Sequence, residues 1–89
     1  MSEEKPFYVY VHKYASGPKE GQVFYVGKGR DYRAWTKSGR SVYWRNIVNK
    51  YGFSCHIVMR FYREECALSF EIALIKHCGR ENLCNLTDG

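Results

Sequence analysis

The sequence predicts one α+β domain, on three observations. Strand signals fall at residues 7–12, 22–26 and 55–62, where β-branched and aromatic residues gather or alternate with polar ones. Helical spacing falls at residues 42–50 and 64–77. The 89 residues suffice for one small core, and no repeat or linker divides them. Residues 1–6 read as a polar tail and residues 7–89 as the single domain.

In the first strand, Phe7, Val9 and Val11 point one way and Tyr8, Tyr10 and His12 the other. One face is aliphatic core; the other is a polar-aromatic face equipped for chemistry. Turn signals follow at Ser16-Gly17-Pro18 and Lys19-Glu20-Gly21. The first two strands therefore pair as an antiparallel hairpin, bringing Tyr10 near Tyr25. Gly27 and Gly29 are expected to break the second strand and to let the backbone approach another group closely. A short helix is predicted over residues 31–37, interrupted by Ser38-Gly39-Arg40.

Ser41 is the expected N-cap of the helix at residues 42–50, and Gly52 ends it. Glu64 and Glu65 open the helix at residues 64–77, and Lys76, His77 and Gly79 close it, as the helix dipole favours. That helix is apolar over most of its circumference. Glu71 lies among Ala67, Leu68, Leu74 and Ile75, so its carboxylate is partly desolvated and calls for a cation or donors. Residues 80–89 read as a loop with a short extended piece at 83–86.

The net charge is +5, and half of the 14 basic residues lie between Lys28 and Lys50. There Lys28, Arg30, Arg33, Lys37, Arg40, Arg45 and Lys50 are opposed only by Asp31, with Tyr32, Trp35, Tyr43, Trp44 and Tyr51 interleaved. Clustered cations among aromatic rings are the footprint of a nucleic-acid binder. Cations beside Tyr25 and Tyr32 are expected to favour the phenolate, which makes a base of a tyrosine. No apolar run approaches the ~20 residues of a membrane span. The polar N-terminus is not a signal peptide. The four cysteines form no C-x-x-C pair, fit no common zinc spacing, and are expected to be buried reduced thiols. Together these features predict a cytoplasmic protein.

Tyr8 or Tyr10, Tyr25 with Lys28, Arg33, Glu71 and Asn85 can share one site. They suit phosphodiester hydrolysis: a base for water, cations for growing phosphate charge, and a carboxylate for a hydrated divalent metal. In order, Tyr8-Val9-Tyr10, Tyr25-Val26-Gly27, an arginine opening a helix, Glu71 in Phe-Glu-Ile-Ala-Leu-Ile-Lys and Asn85 in Leu-Cys-Asn-Leu-Thr-Asp-Gly resemble the GIY-YIG nuclease family. The resemblance runs from about Phe7 to Gly89. It implies a small three-stranded antiparallel sheet flanked by helices, and Mg²⁺- or Mn²⁺-dependent endonucleolytic cleavage of DNA. It also implies that Tyr10 or Tyr25 helps to activate water, with Tyr10 favoured. Arg33 contacts phosphate, with Arg30 competing for the part. Glu71 is the metal ligand, Asn85 supports the site, and Lys28 lowers a tyrosine pKa or binds phosphate. Tyr8 stands where the family's first motif has glycine.

The alternative is a non-catalytic nucleic-acid-binding module built on residues 28–50. A third reading is a structural protein whose basic face meets an acidic partner. Lys28, Arg30, Arg33, Lys37, Arg40 and Arg45 are the expected nucleic-acid contacts, with RNA left open beside DNA. Glu71 as a structural ion-pair partner, Asn85 as a turn residue and His12 as an ordinary strand-face histidine are the plain readings beside these roles. Oligomeric state and fusion to a recognition domain stay open.

Overall fold

Every strand turns out to be antiparallel, with the first strand between the second and the third, in the computed structural model of the chain, which describes residues 5–85. Strand β1 is Phe7–Tyr14, β2 is Val23–Arg30 and β3 is Phe53–Phe61. Helix α1 is Val42–Tyr51 and α2 is Glu64–Cys78. Single 3₁₀ turns occupy Arg33–Trp35 and Arg80–Asn82. The expected α+β fold, a three-stranded antiparallel sheet flanked by helices, is the fold observed. The expected tail, the extended piece and the loop at residues 80–89 lie partly outside the described residues.

Being central, β1 is buried on both faces, and its alternation separates two cores. Val9 and Val11 join Val26 of β2 and Ala67 and Ile75 of α2. Tyr8 and Tyr10 gather on the other face with Ala34, Tyr25, Cys55 and Ile57. Helix α1 covers this aromatic face through Trp44, which packs on Phe53 and His12. Ser41 caps α1 as expected, its hydroxyl accepting from the Trp44 N–H at 3.2 Å.

Strand β1 runs two residues past its predicted end and β3 starts two residues before its predicted start, and two elements differ more. Strand β2 does not stop at Gly27; it runs on to Arg30, with Gly27 opposite Tyr10 and Gly29 opposite Tyr8. A Cβ at Gly27 would lie 2.5 Å from Tyr10 Oη, and one at Gly29 would press on Arg33 and Tyr8. The close approach foreseen at these glycines is that of two tyrosine rings, and extended backbone accommodates it without a break. The helix predicted over 31–37 shrinks to the turn Arg33–Trp35. Asp31 takes φ +53° and gives its carbonyl to the Tyr8 hydroxyl at 2.8 Å, so no regular helix starts there.

Candidate functional site

Strand β2 is an edge strand, and its outward backbone groups need partners. Three chain-distant residues supply them in succession. Cys84 N–H donates to the Phe24 carbonyl at 2.8 Å. The Asn85 amide takes both groups of Val26, donating to its carbonyl at 2.7 Å and accepting from its N–H at 3.1 Å. The Glu71 carboxylate accepts from the Lys28 N–H. Helix α2 directs Glu71 there because Ala67, Glu71 and Ile75 form one stripe, four residues apart, against the sheet.

The phenols approach the same stretch from the opposite face. Tyr10 crosses Gly27, and the ring of Tyr25 lies 6.1 Å from that of Tyr10. Glu71 and the phenols thus lie on opposite faces of β2, and both Glu71 and Tyr10 border the Gly27–Lys28 peptide. Arg33 is half-buried beside them, its Nη1 donating to Thr36 Oγ1 and the Ser38 carbonyl at 3.2 and 3.1 Å. Its charge acts on both Tyr10 and His12.

Tyr10 departs from expectation. It is 1% exposed, and burial pushes its phenol up to about 12, outweighing the Arg40 hydrogen bond, which acts to lower it. At neutral pH only about one molecule in 10⁵ carries the Tyr10 phenolate. Lys28 does not offset this. Its side chain reaches Glu64 Oε2 at 2.9 Å, on the α2 side of the sheet.

Arg40, expected as a surface contact to nucleic acid, is only 6% exposed. It donates to Tyr10 Oη at 2.8 Å, to the Arg33 carbonyl at 2.7 Å and to the Thr36 carbonyl at 3.0 Å. The rings of Tyr10, Tyr25 and Trp44 lie 5.3–5.7 Å from its guanidinium carbon. Charge pattern alone gave no sign of this. The available cue was position: Arg40 stands between a glycine at φ +71° and the N-cap Ser41, where the chain turns inward.

Of the other expected contacts, Lys37 and Arg45 are exposed. Arg30 is exposed at the far end of β2, paired with Asp31 at 3.7 Å. Arg33, not Arg30, therefore stands beside the phenols. His12 is fully buried: Trp44 Nε1 donates to its Nδ1 at 2.9 Å, and its Nε2 donates to the Ala34 carbonyl at 2.7 Å. All four cysteines are free, but none is fully buried: Cys55, Cys78 and Cys84 are half-buried and Cys66 is exposed.

Among the described residues no three His, Cys, Asp or Glu side chains gather around a metal position. A divalent ion here would rest on Glu71 alone, a carboxylate that is 8% exposed and already accepts the Lys28 N–H. Burial raises the Glu71 pKa, against the charge and N–H of Lys28. A groove of about 490 Å³ opens beside Asn85, between Tyr43, Asn46 and Ile47 of α1 and the segment Leu83 to Asn85. No helix among the described residues is long and apolar enough to cross a membrane.

Family models, curated proteins and solved structures were each compared with the chain, and none matches it.

Proposed function

We propose that the chain is a metal-dependent DNA endonuclease of the GIY-YIG type, hydrolysing phosphodiester bonds at the outer edge of β2. One observation carries this reading. Three groups far apart in sequence meet the four-residue stretch from Tyr25 to Lys28 from different sides: Tyr10 crosses Gly27 on one face with Arg33 beside it, Asn85 holds Val26 at the edge, and Glu71 holds Lys28 from the opposite face.

In this reading the base is Tyr25, the half-buried phenol, rather than Tyr10. Tyr10 stays protonated. Because Arg40 donates to its Oη, the Tyr10 proton is free to be donated onward. Arg33 supplies charge for the phosphate. Glu71 would hold Mg²⁺ or Mn²⁺, which when bound contributes Lewis-acid stabilisation of phosphate charge. Asn85 keeps Val26, and hence Tyr25 and Gly27, in register.

Plasmid and branched DNA incubated with and without Mg²⁺ provide the test. Wild type is expected to nick in Mg²⁺, and Glu71→Gln to lose at least about a hundredfold in rate. Equal rates would remove Glu71 from the chemistry.

The burial of Tyr10 favours a second reading, a binding module without catalysis. Tight, salt-sensitive DNA binding with no nicking in any divalent metal would select it.

A further inference from the structure

Tyr8 serves a purpose outside the convergence at β2. Its hydroxyl donates to the Asp31 carbonyl at 2.8 Å and accepts from the Ala34 N–H at 3.0 Å. Its ring meets Trp35 edge-on at 6.1 Å and lies under the Arg60 guanidinium at 5.2 Å. The chain between those two hydrogen bonds carries Tyr32, which is 81% exposed, and the next residue after them is Trp35, 48% exposed. One buried phenol thus fixes a loop that holds two large rings in water. Large exposed rings held on a fixed loop are the kind of surface on which unpaired bases stack.

Beside Tyr32 a hollow of about 360 Å³ is lined by Lys5, Pro6, Asp31, Tyr32 and Arg60. Among the described residues no carboxylate pairs with Arg60. The hollow therefore offers the Tyr32 ring, two cations and the carboxylate of Asp31, which also pairs with Arg30 at 3.7 Å. A bare anion would be repelled by Asp31, and a purely apolar ligand would leave the charges unanswered. An unstacked nucleobase with its phosphate matches all three: stacking on Tyr32, amino or imino donors toward Asp31, and phosphate on Arg60 and Lys5.

We propose that Tyr32, Trp35, Arg60 and Lys5 form a second site that binds single-stranded nucleic acid, DNA or RNA, by stacking an unpaired base. The inference rests on the nucleic-acid half of the function proposed above and not on cleavage. It gives Tyr8, the departure from the family's glycine, the job of presenting this platform.

The chain has two tryptophans, and Trp44 is buried, so a ligand-dependent change in emission reports Trp35. Nine-nucleotide DNA and RNA single strands, the matching DNA duplex and polyglutamate are titrated with EDTA present to prevent cutting. Both single strands should quench emission and bind at least about tenfold tighter than the duplex, and RNA against DNA separates the two sources. Quenching should vanish in Trp35→Phe. Tyr32→Ala should weaken single-strand binding about tenfold, with its melting temperature as folding control. Arg60→Ala should reduce the log–log salt slope by about one.

Unmoved emission, equal affinity for duplex and single strand, quenching by polyglutamate, or no binding at low salt would each overturn the inference. Cutting of DNA by wild type alongside any of these leaves the nuclease reading intact. Single strands quenching Trp35 without nicking in any metal sinks the nuclease reading alone.

Discussion

Acid should unfold this protein through His12. Indole N–H is only a donor, so Nδ1 of His12 must accept, and Nε2 must carry the proton given to Ala34. Protonating Nδ1 would set two donors against each other in a dry site. Burial, aided by the charges of Arg40, Arg33 and His56, pushes His12 down to about 4 from 6.5, although the Ala34 carbonyl acts the other way. The unfolded chain therefore binds the proton first. The neutral ring contributes stability that is complete above pH 6.5 and lost as pH falls towards 4. At about 1.4 kcal/mol per pH unit, the loss is about 3 kcal/mol, a large part of the ~5–15 kcal/mol that holds a domain together. Urea unfolding at closely spaced pH values, for wild type and for His12→Gln, measures it. The difference between the two should change by about 3 kcal/mol across that window. Glu71 titrates with the opposite sign, but it is common to both proteins and cancels. A difference changing by less than about 1 kcal/mol would mean that the fold tolerates the imidazolium, and the donor–acceptor assignment would be wrong.

Gly27→Ala sets a methyl group on Tyr10 and should cost about 1–3 kcal/mol, read as a lower urea midpoint. Asn85→Ala strips both backbone groups of Val26 and should cost about 1–3 kcal/mol, with faster hydrogen exchange at the Val26 amide as the local readout. Arg40→Met removes the donor to Tyr10 Oη, so a spectrophotometric titration should find one phenol moved still further up, alongside a loss of about 2–3 kcal/mol in stability. Glu71→Gln should separate stability from chemistry. The raised Glu71 pKa means that its ionised form costs stability above that pKa, so the variant should be at least as stable at pH 7 while nicking is lost. If stability and nicking fall together, Glu71 is only the cap of Lys28.

The elements were legible where one physical signal dominated. Alternation in β1 separated Val9 and Val11 from Tyr8, Tyr10 and His12, and the two cores follow that division. Ser41, Gly52 and Gly79 marked helix ends through their own chemistry. The misses share a cause: each turned on a partner distant in sequence. Gly27 and Gly29 look like breakers until Tyr10 and Tyr8 are seen to lie across them. The helix at 31–37 looked sound until the Tyr8 hydroxyl claimed the Asp31 carbonyl. Arg40 carries the same charge as Arg45, yet one is folded over three rings and the other faces solvent. Composition registers charge, not the direction in which the turn before α1 delivers it.

That inward delivery decides what the aromatic face can do. A phenol sealed beneath a guanidinium is a poor base and a good hydrogen-bond donor, because burial withholds ionisation while the cation occupies a lone pair. The same seal fixes Tyr10 against Gly27, and so fixes the edge on which Asn85 and Glu71 close. An edge strand must satisfy its outward backbone groups anyway, and here Asn85 and Glu71 perform that task. Their structural duty does not compete with the chemistry proposed for them. It holds Glu71 and Asn85 in place before a substrate arrives, which is the preorganisation that positioning catalysis needs.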